Sequence, residues 1–311
     1  MVVESIQKGR VSLRYSPLRW VERRQSKGLY TFTREDFQAE TERSSIATQS
    51  ALRRLKRKGR ISSPRRGFYV IIPLEHLDHG YPPPSCFVND LMEFLNAKYY
   101  VGLRAAVAIH TGTSSHASHA SHASHASHAS HASHASHASH ASHANETHDT
   151  GPSRNASPRS LDLIVDRSIR KMHCKELELL PFKSKIVDKL PRLKRQYYWG
   201  SMICSSPEST AFDLLRYQKS IGGIRAILPL LKGLSNHLDG PTLGELAPLF
   251  NEPIVQRLAF LLDFLEKREL CESLSRWLVY CVPRKVPLVP EKPSQGKLDP
   301  KWKIIINEQV D

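Results

Sequence analysis

A strongly basic stretch near the start of the chain constrains the fold most: residues 43–74 hold nine lysines and arginines and no acidic residue. Within it, residues 44–59 predict one α-helix, because apolar residues recur four positions apart along one side: Ala47, Ala51 and Leu55. Ser44 or Ser45 can cap the first turn of this helix, and Gly59 can end the last one. The helix therefore has an apolar side for a core, and its opposite side carries polar and cationic residues.

The neighbouring segments predict two further helices and a β-hairpin around this basic helix. Trp20 and its apolar neighbours fit a first helix, and Thr33 can cap a short second one. Downstream, residues 60–72 predict two short strands joined by a turn, with arginines at the tip. Helix, helix, basic helix and hairpin, in that order, are typical of a winged helix-turn-helix, whose third helix fits the major groove of DNA.

This layout predicts a DNA-binding surface on the third helix and the hairpin. We expect eight residues to contact DNA: Thr48, Gln49, Ser50, Arg53, Arg54, Arg57, Arg65 and Arg66. Gln49, Ser50 and Arg53 are the candidates for base edges, since Gln pairs bidentately with adenine and Arg with guanine. The other arginines are expected to meet phosphates, which position a protein without reading sequence. The alternative is a winged helix that binds protein and has an incidentally basic surface.

The charge distribution supports a polyanionic partner. The 311-residue chain has a net charge of +15, and residues 1–78 carry +9 of it, from 17 basic and 8 acidic residues. Neutralising phosphates releases their condensed counterions, so a basic cluster on a small domain attracts nucleic acid.

Other broad classes are disfavoured by the composition. No apolar run approaches the roughly 20 residues needed to span a bilayer, and the N-terminus lacks the pattern of a secretory signal. The five cysteines are scattered and lack metal-ligand spacing, which favours reduced, buried thiols. We therefore expect a cytoplasmic protein with no membrane partner, no cofactor and no metal site.

A low-complexity repeat interrupts the second part of the chain. Residues 115–144 repeat the triplet Ser-His-Ala ten times without interruption. On an α-helix, residues three apart drift by about 60° at each step, so the histidines would circle the helix instead of lining one face. Weak capture of Zn²⁺, Ni²⁺ or Cu²⁺ by imidazole is one interpretation. The favoured one is a neutral loop, at about residues 112–158, produced by expansion of a nine-nucleotide unit.

The rest of the sequence predicts a mixed domain. Helical spacing occurs at 87–95, 99–109, 225–234, 243–250 and 253–265, and a further helix starts with Ser206 as its cap and Pro207 at its first position. Strands are predicted at 161–165 and 299–307. A proline-rich linker, residues 74–84, separates the two parts. The predicted fold class is α+β, with a winged helix-turn-helix at 1–78 and a mixed α/β domain at 79–311.

No motif predicts an enzyme. The sequence has no nucleotide-binding glycine loop, His-Glu-x-x-His run or Gly-x-Ser-x-Gly elbow. Four carboxylates are candidates for a metal-dependent nuclease or transferase site, but their spacing carries no signal: Asp162, Asp166, Glu208 and Asp213. Asp213 lies opposite Ala211 and Leu215 on a helical wheel, so we expect it on the exposed surface.

Several segments, taken in order, resemble the AbiEi antitoxins of type IV toxin–antitoxin (abortive infection) systems. They are Ala51–Leu55 with Lys58-Gly59, Gly67–Val70, Tyr99–Leu103 with Ala105, Ala106 and His110, Ser206–Tyr217 with Gly222-Gly223, Gln256–Leu262 and Lys301–Asn307. Together they cover nearly all of the chain except the repeat. The chain departs from the family where His110 leads into the repeat instead of directly into a strand.

The resemblance implies a non-enzymatic antitoxin. Such a protein binds inverted repeats in its own promoter through the winged helix and represses the operon. Its C-terminal domain counteracts a nucleotidyltransferase toxin without forming a stable complex with it. The alternative function is a winged-helix transcriptional regulator that responds to a small ligand and has no toxin partner.

Overall fold

The computed structural model describes residues 16–77, 81–113 and 160–310, so the Ser-His-Ala repeat lies outside the described residues. Residues 16–77, which we call the first part, contain three α-helices and three strands: α1 (Pro17–Ser26), β1 (Thr31–Thr33), α2 (Arg34–Thr41), α3 (Ser45–Arg57), β2 (Ile61–Arg65) and β3 (Phe68–Ile71). The three strands form an antiparallel sheet in the order β1-β3-β2. Trp20, Phe32 and Phe37 contact one another edge-on or tilted in the core between helices and sheet.

Local signals account for the ends of these helices. Thr33 caps α2 in a reciprocal capping box with Asp36. Ser44 caps α3, and Gly59 follows its last turn with a left-handed φ of 69°. The predicted caps at Thr33 and Ser44, the basic helix and the hairpin are therefore confirmed.

A six-stranded mixed sheet forms the centre of the second part. Its elements are α4 (Val88–Phe94), β4 (Tyr99–Val101), α5 (Leu103–His110), β5 (Ser160–Val165), β6 (Met172–Cys174), β7 (Leu177–Lys183), β8 (Arg192–Tyr197) and β9 (Gly200–Ser205). The strand order is β6-β7-β5-β4-β9-β8, with parallel pairs at β5–β7 and β4–β9. The helix predicted from residue 99 was wrong at its start. Residues 99–101 pair with β5 as a strand, and the helix begins after Gly102.

Five α-helices and a small sheet follow in the described residues up to 310. They are α6 (Pro207–Arg216), α7 (Gly223–Leu234), α8 (Gly240–Leu246), α9 (Glu252–Phe264), α10 (Arg268–Cys281), β10 (Val286–Pro287), β11 (Lys297–Asp299) and β12 (Ile304–Ile306). The predicted start of α6 is confirmed, since Ser206 accepts a hydrogen bond from the Ser209 N–H at 3.1 Å and Pro207 is its first residue. The last strand is shorter than predicted, and Trp302 before it is buried against α9, where its ring N–H donates to Asp263 at 2.9 Å.

Strand β3 contributes side chains to the apolar cores of both parts. Alternate residues of a strand point to opposite faces. Ile71 packs in the core of the first part, whereas Phe68 and Val70 pack in a cluster with residues of α4 and the central sheet. The Phe68 and Phe94 rings lie 5.3 Å apart. The fold is thus mixed α+β with several sheets, and the domain division at residue 78 stays a prediction.

Candidate nucleic-acid interface

Helix α3 buries its apolar side in the first part and presents its polar side to solvent. On the apolar side of α3, the side chains of Ala51, Leu52 and Leu55 are buried. Five of the predicted contact residues lie on the exposed side: Gln49, Ser50, Arg53, Arg54 and Arg57. The Ser44 hydroxyl fixes the first turn by accepting a hydrogen bond from the Ala47 N–H at 3.3 Å.

Thr48 does not belong to this surface. Its side chain is 0% exposed, and its hydroxyl has no hydrogen-bond partner among the described residues. The helical period places position 48 one turn before Leu52, on the buried side of the helix. The prediction that Thr48 contacts DNA is therefore wrong.

The hairpin presents Arg65 and Arg66 at its tip, and both are exposed. Gly67 completes the turn with a φ of 88°, a left-handed conformation that glycine adopts without strain. The Gly67 carbonyl accepts a hydrogen bond from the Arg34 N–H at 2.9 Å. This bond ties the arginine-bearing turn to the start of α2.

A groove of about 730 Å³ connects the exposed side of α3 with the tip of the hairpin. Gln49, Arg53 and Lys56 line it from α3, and Arg66 lines it from the turn. Residues of α3 and of the turn, although β2 separates them in the sequence, therefore line one concave surface.

The lining of the groove has an excess of positive charge. Arg34 adds a fourth cation, held in place by a 2.7 Å hydrogen bond from its guanidinium to the Ser45 hydroxyl. Glu35 is the one carboxylate among the described residues that line the groove, and it forms no ion pair there. Clefts lined by one sign of charge concentrate ligands of the opposite sign.

Tyr69 adds a hydroxyl to the same groove. Burial raises the pKa of Tyr69 above its ordinary value, while the charges of Arg34 and Glu35 shift that pKa in opposite directions. The hydroxyl stays protonated at neutral pH and can donate a hydrogen bond to an anion.

Sequence reasoning missed three residues of this surface. Lys56 follows Gln49 by seven positions, so the helical period already placed it on the same side. Arg34 reaches the groove only because α2 packs beside the turn, which no local pattern reveals. Ile46 is 79% exposed in the first turn of α3, where the polar side of the helix begins.

The carboxylate predicted to be exposed, Asp213, is fully buried, so that prediction is wrong. One of its oxygens accepts a hydrogen bond from the Tyr100 hydroxyl at 2.6 Å. Burial raises the pKa of Asp213 to about 7, against smaller lowering effects of Tyr100 and Arg216. The helical wheel failed because α6 is surrounded by α5, α7, α8, α9 and β9.

The other three carboxylates have structural partners. Asp162 is buried and receives two hydrogen bonds from Arg104, at 3.0 and 2.7 Å. Glu208 accepts from the Asp239 N–H, and Asp166 from the Lys98 N–H. In the described parts of the chain, no three His, Cys, Asp or Glu residues lie close enough to hold a metal ion.

A second cleft, of about 640 Å³, lies between the first part and the turn that joins β8 to β9. Aromatic rings line it, and the Tyr30 and Trp199 centroids are 5.4 Å apart. Glu22, Glu75 and Arg60 also line the cleft, so it offers both charges beside a stacking surface.

Comparison with known proteins shows the fold alone. No protein-family model and no curated protein matches the chain. The chain is similar to the crystal structure of the RV2827C protein from Mycobacterium tuberculosis, with a TM-score of 0.57 and 15% sequence identity. The match covers 93% of this chain and 90% of that chain. None of the helices in the described ranges combines the length and the apolar content that a membrane span needs.

Proposed function

We propose that this chain is a cytoplasmic, DNA-binding antitoxin that represses its own promoter and counteracts a nucleotidyltransferase toxin. One observation carries the DNA-binding half: the exposed polar side of α3 and the arginine-bearing turn line one groove with an excess of positive charge. The antitoxin half rests on the resemblance to the AbiEi family.

In this proposal the first part acts as a winged helix-turn-helix. The B-DNA major groove is about 12 Å wide and admits α3. Gln49, Ser50 and Arg53 then face base edges. The remaining exposed arginines meet phosphates, two from α3 and two from the turn, and they set the orientation of the protein on the duplex.

The DNA-binding half is tested with the promoter of the chain's own operon. We expect the full-length protein to shift this duplex, and the Arg53→Ala variant to weaken the complex. The matched control is Arg268→Ala, an exposed arginine at the start of α10. Equal loss in both variants, or no shift with the unmodified protein, would refute the assignment.

The antitoxin half is tested by growth. Expression of the adjacent reading frame alone should arrest growth, and co-expression of this chain should restore it. The full-length Arg53→Ala variant, which is weakened in DNA binding, should keep this protection, because the proposal assigns protection to residues 79–311. No stable complex between the two proteins is expected on co-purification.

The cleft between the first part and the β8–β9 turn favours a second candidate function, a transcriptional regulator that responds to a small ligand. Its aromatic and charged lining suits a planar, polar molecule. The growth experiment separates the two functions, since a regulator of this kind gives no protection against a toxin.

A further inference from the structure

An aliphatic side chain stands at the centre of the polar side of α3. Ile46 is 79% exposed. At 100° per residue, Ile46, Ser50, Arg53 and Arg57 project within about 60° of one another, directly away from the buried residues. Gln49 lies one turn from Ile46 on the edge of this stripe.

Helix propensity alone does not favour isoleucine at this exposed position. β-branched residues have a lower helix propensity than the lysine, arginine or glutamine found elsewhere on this side. A single exposed isoleucine is ordinary on a protein surface. What distinguishes Ile46 is its place in the first turn of the helix, because helices of this motif contact bases through their N-terminal residues.

We propose that Ile46 reads thymine by packing its side chain against the C5 methyl group in the major groove. This inference rests on the proposed DNA binding and names the DNA it recognises, a site with neighbouring A·T base pairs. The thymine methyl is the apolar feature of the major groove, and it is the chemical match for an aliphatic side chain among hydrogen-bonding neighbours.

The spacing within α3 connects this contact to the adenine expected for Gln49. The three residue steps from Ile46 to Gln49 rise about 4.5 Å along the helix axis, whereas successive base pairs are about 3.4 Å apart. The thymine under Ile46 is therefore one to two base pairs from the adenine that Gln49 pairs with. Ser50, beside both residues, can donate to or accept from either base pair.

The test removes the methyl group and nothing else. Full-length protein first enriches duplexes from a randomised pool, and each thymine of the enriched duplex is then replaced singly by deoxyuridine. Deoxyuridine lacks the C5 methyl but keeps every hydrogen-bonding group. We expect one thymine in each half-site at which this replacement weakens binding about fourfold, the effect of one buried methyl-sized group.

The variant Ile46→Ala completes the experiment. It should bind the thymine and uracil duplexes equally, both about fourfold more weakly than the unmodified protein binds thymine. Leu29→Ala, which shortens an exposed aliphatic residue of the loop between α1 and β1, should keep the fourfold preference for thymine. Thermal unfolding of Ile46→Ala should be unchanged, because an exposed side chain adds little to the core. The weaker binding of this variant is then due to the lost contact with DNA.

Three results would overturn the inference. If the enriched duplex tolerates uracil at every position, Ile46 reads no methyl group, while the DNA-binding function stands. If Ile46→Ala retains the preference for thymine, another residue reads the methyl group. If no duplex is enriched at all, the proposed DNA-binding function fails together with the inference.

Discussion

The salt dependence of DNA binding measures how many cations of the proposed interface reach phosphates. The observed affinity falls with salt because each neutralised phosphate releases counterions, with a slope of about −0.9 per contact in a plot of log K against log salt. The exposed residues assigned to phosphates are Arg54, Arg57, Arg65 and Arg66, and Lys56 in the groove is a fifth. Five contacts give a slope of about −4.5.

The informative perturbation is the double variant Arg65→Gln/Arg66→Gln. It removes both cations of the turn and keeps long polar side chains, so the slope should fall to about −2.7. Between 50 and 200 mM salt, the affinity of the unmodified protein should then drop roughly 500-fold, and that of the variant only about 40-fold. Neither arginine has an ion-pair partner among the described residues, so folding should not change.

Fluorescence anisotropy of a labelled promoter duplex across this salt range gives both slopes. Arg268→Gln/Arg276→Gln, two exposed arginines of α10, is the matched control and should leave the slope at about −4.5. A slope that stays the same in the Arg65/Arg66 variant would show that the turn does not touch DNA. A flat series with the unmodified protein would favour the protein-binding alternative for this surface.

Three other predictions concern the residues of α3, Asp213 and the Ser-His-Ala repeat. Gln49→Ala and Arg53→Ala should each weaken specific DNA binding by about 1–3 kcal/mol in gel shifts, whereas Thr48→Val should leave it unchanged because that side chain is buried. The pKa of Asp213 near 7 lies above the usual value near 3.9 in an unfolded chain, so its contribution to stability is complete below about pH 4 and is lost as the pH rises to about 7. Urea unfolding should show a fall of up to about 4 kcal/mol over that interval that is missing in Asp213→Asn; parallel curves would contradict the pKa shift. Deleting residues 115–144 should leave DNA affinity and growth protection intact, and loss of either would assign the repeat a role.

The elements of the candidate site were predictable because their signals are local. The Ser44 cap, the four-residue apolar period and Gly59 lie within one short segment, and they define both the length of α3 and its exposed side. The turn at Gly67 follows in the same way from its neighbouring strands. Thr48 was assigned by its place in the helix without regard to the helical period, and the period alone would have excluded it.

The features that sequence reasoning missed depend on distant contacts. Tyr99 and Tyr100 become a strand because β5, about sixty residues later, pairs with them. Asp213 is buried because several helices close around α6, and its partner Tyr100 is more than a hundred positions away. A helical wheel shows which side of a helix is more polar than the other. It cannot show that a helix is buried on every side.

In the hairpin, a local sequence signal and contacts with distant residues act together. Its run at residues 68–72 is apolar apart from the Tyr69 hydroxyl, which is consistent with a strand that packs on both faces. β3 accordingly contributes Ile71 to the first core and Phe68 and Val70 to the second. The turn that carries Arg65 and Arg66 is therefore anchored on both sides. For this reason the proposed DNA-binding surface is best studied in the full-length chain, since cutting at residue 78 uncovers the outer face of the strand that positions those arginines.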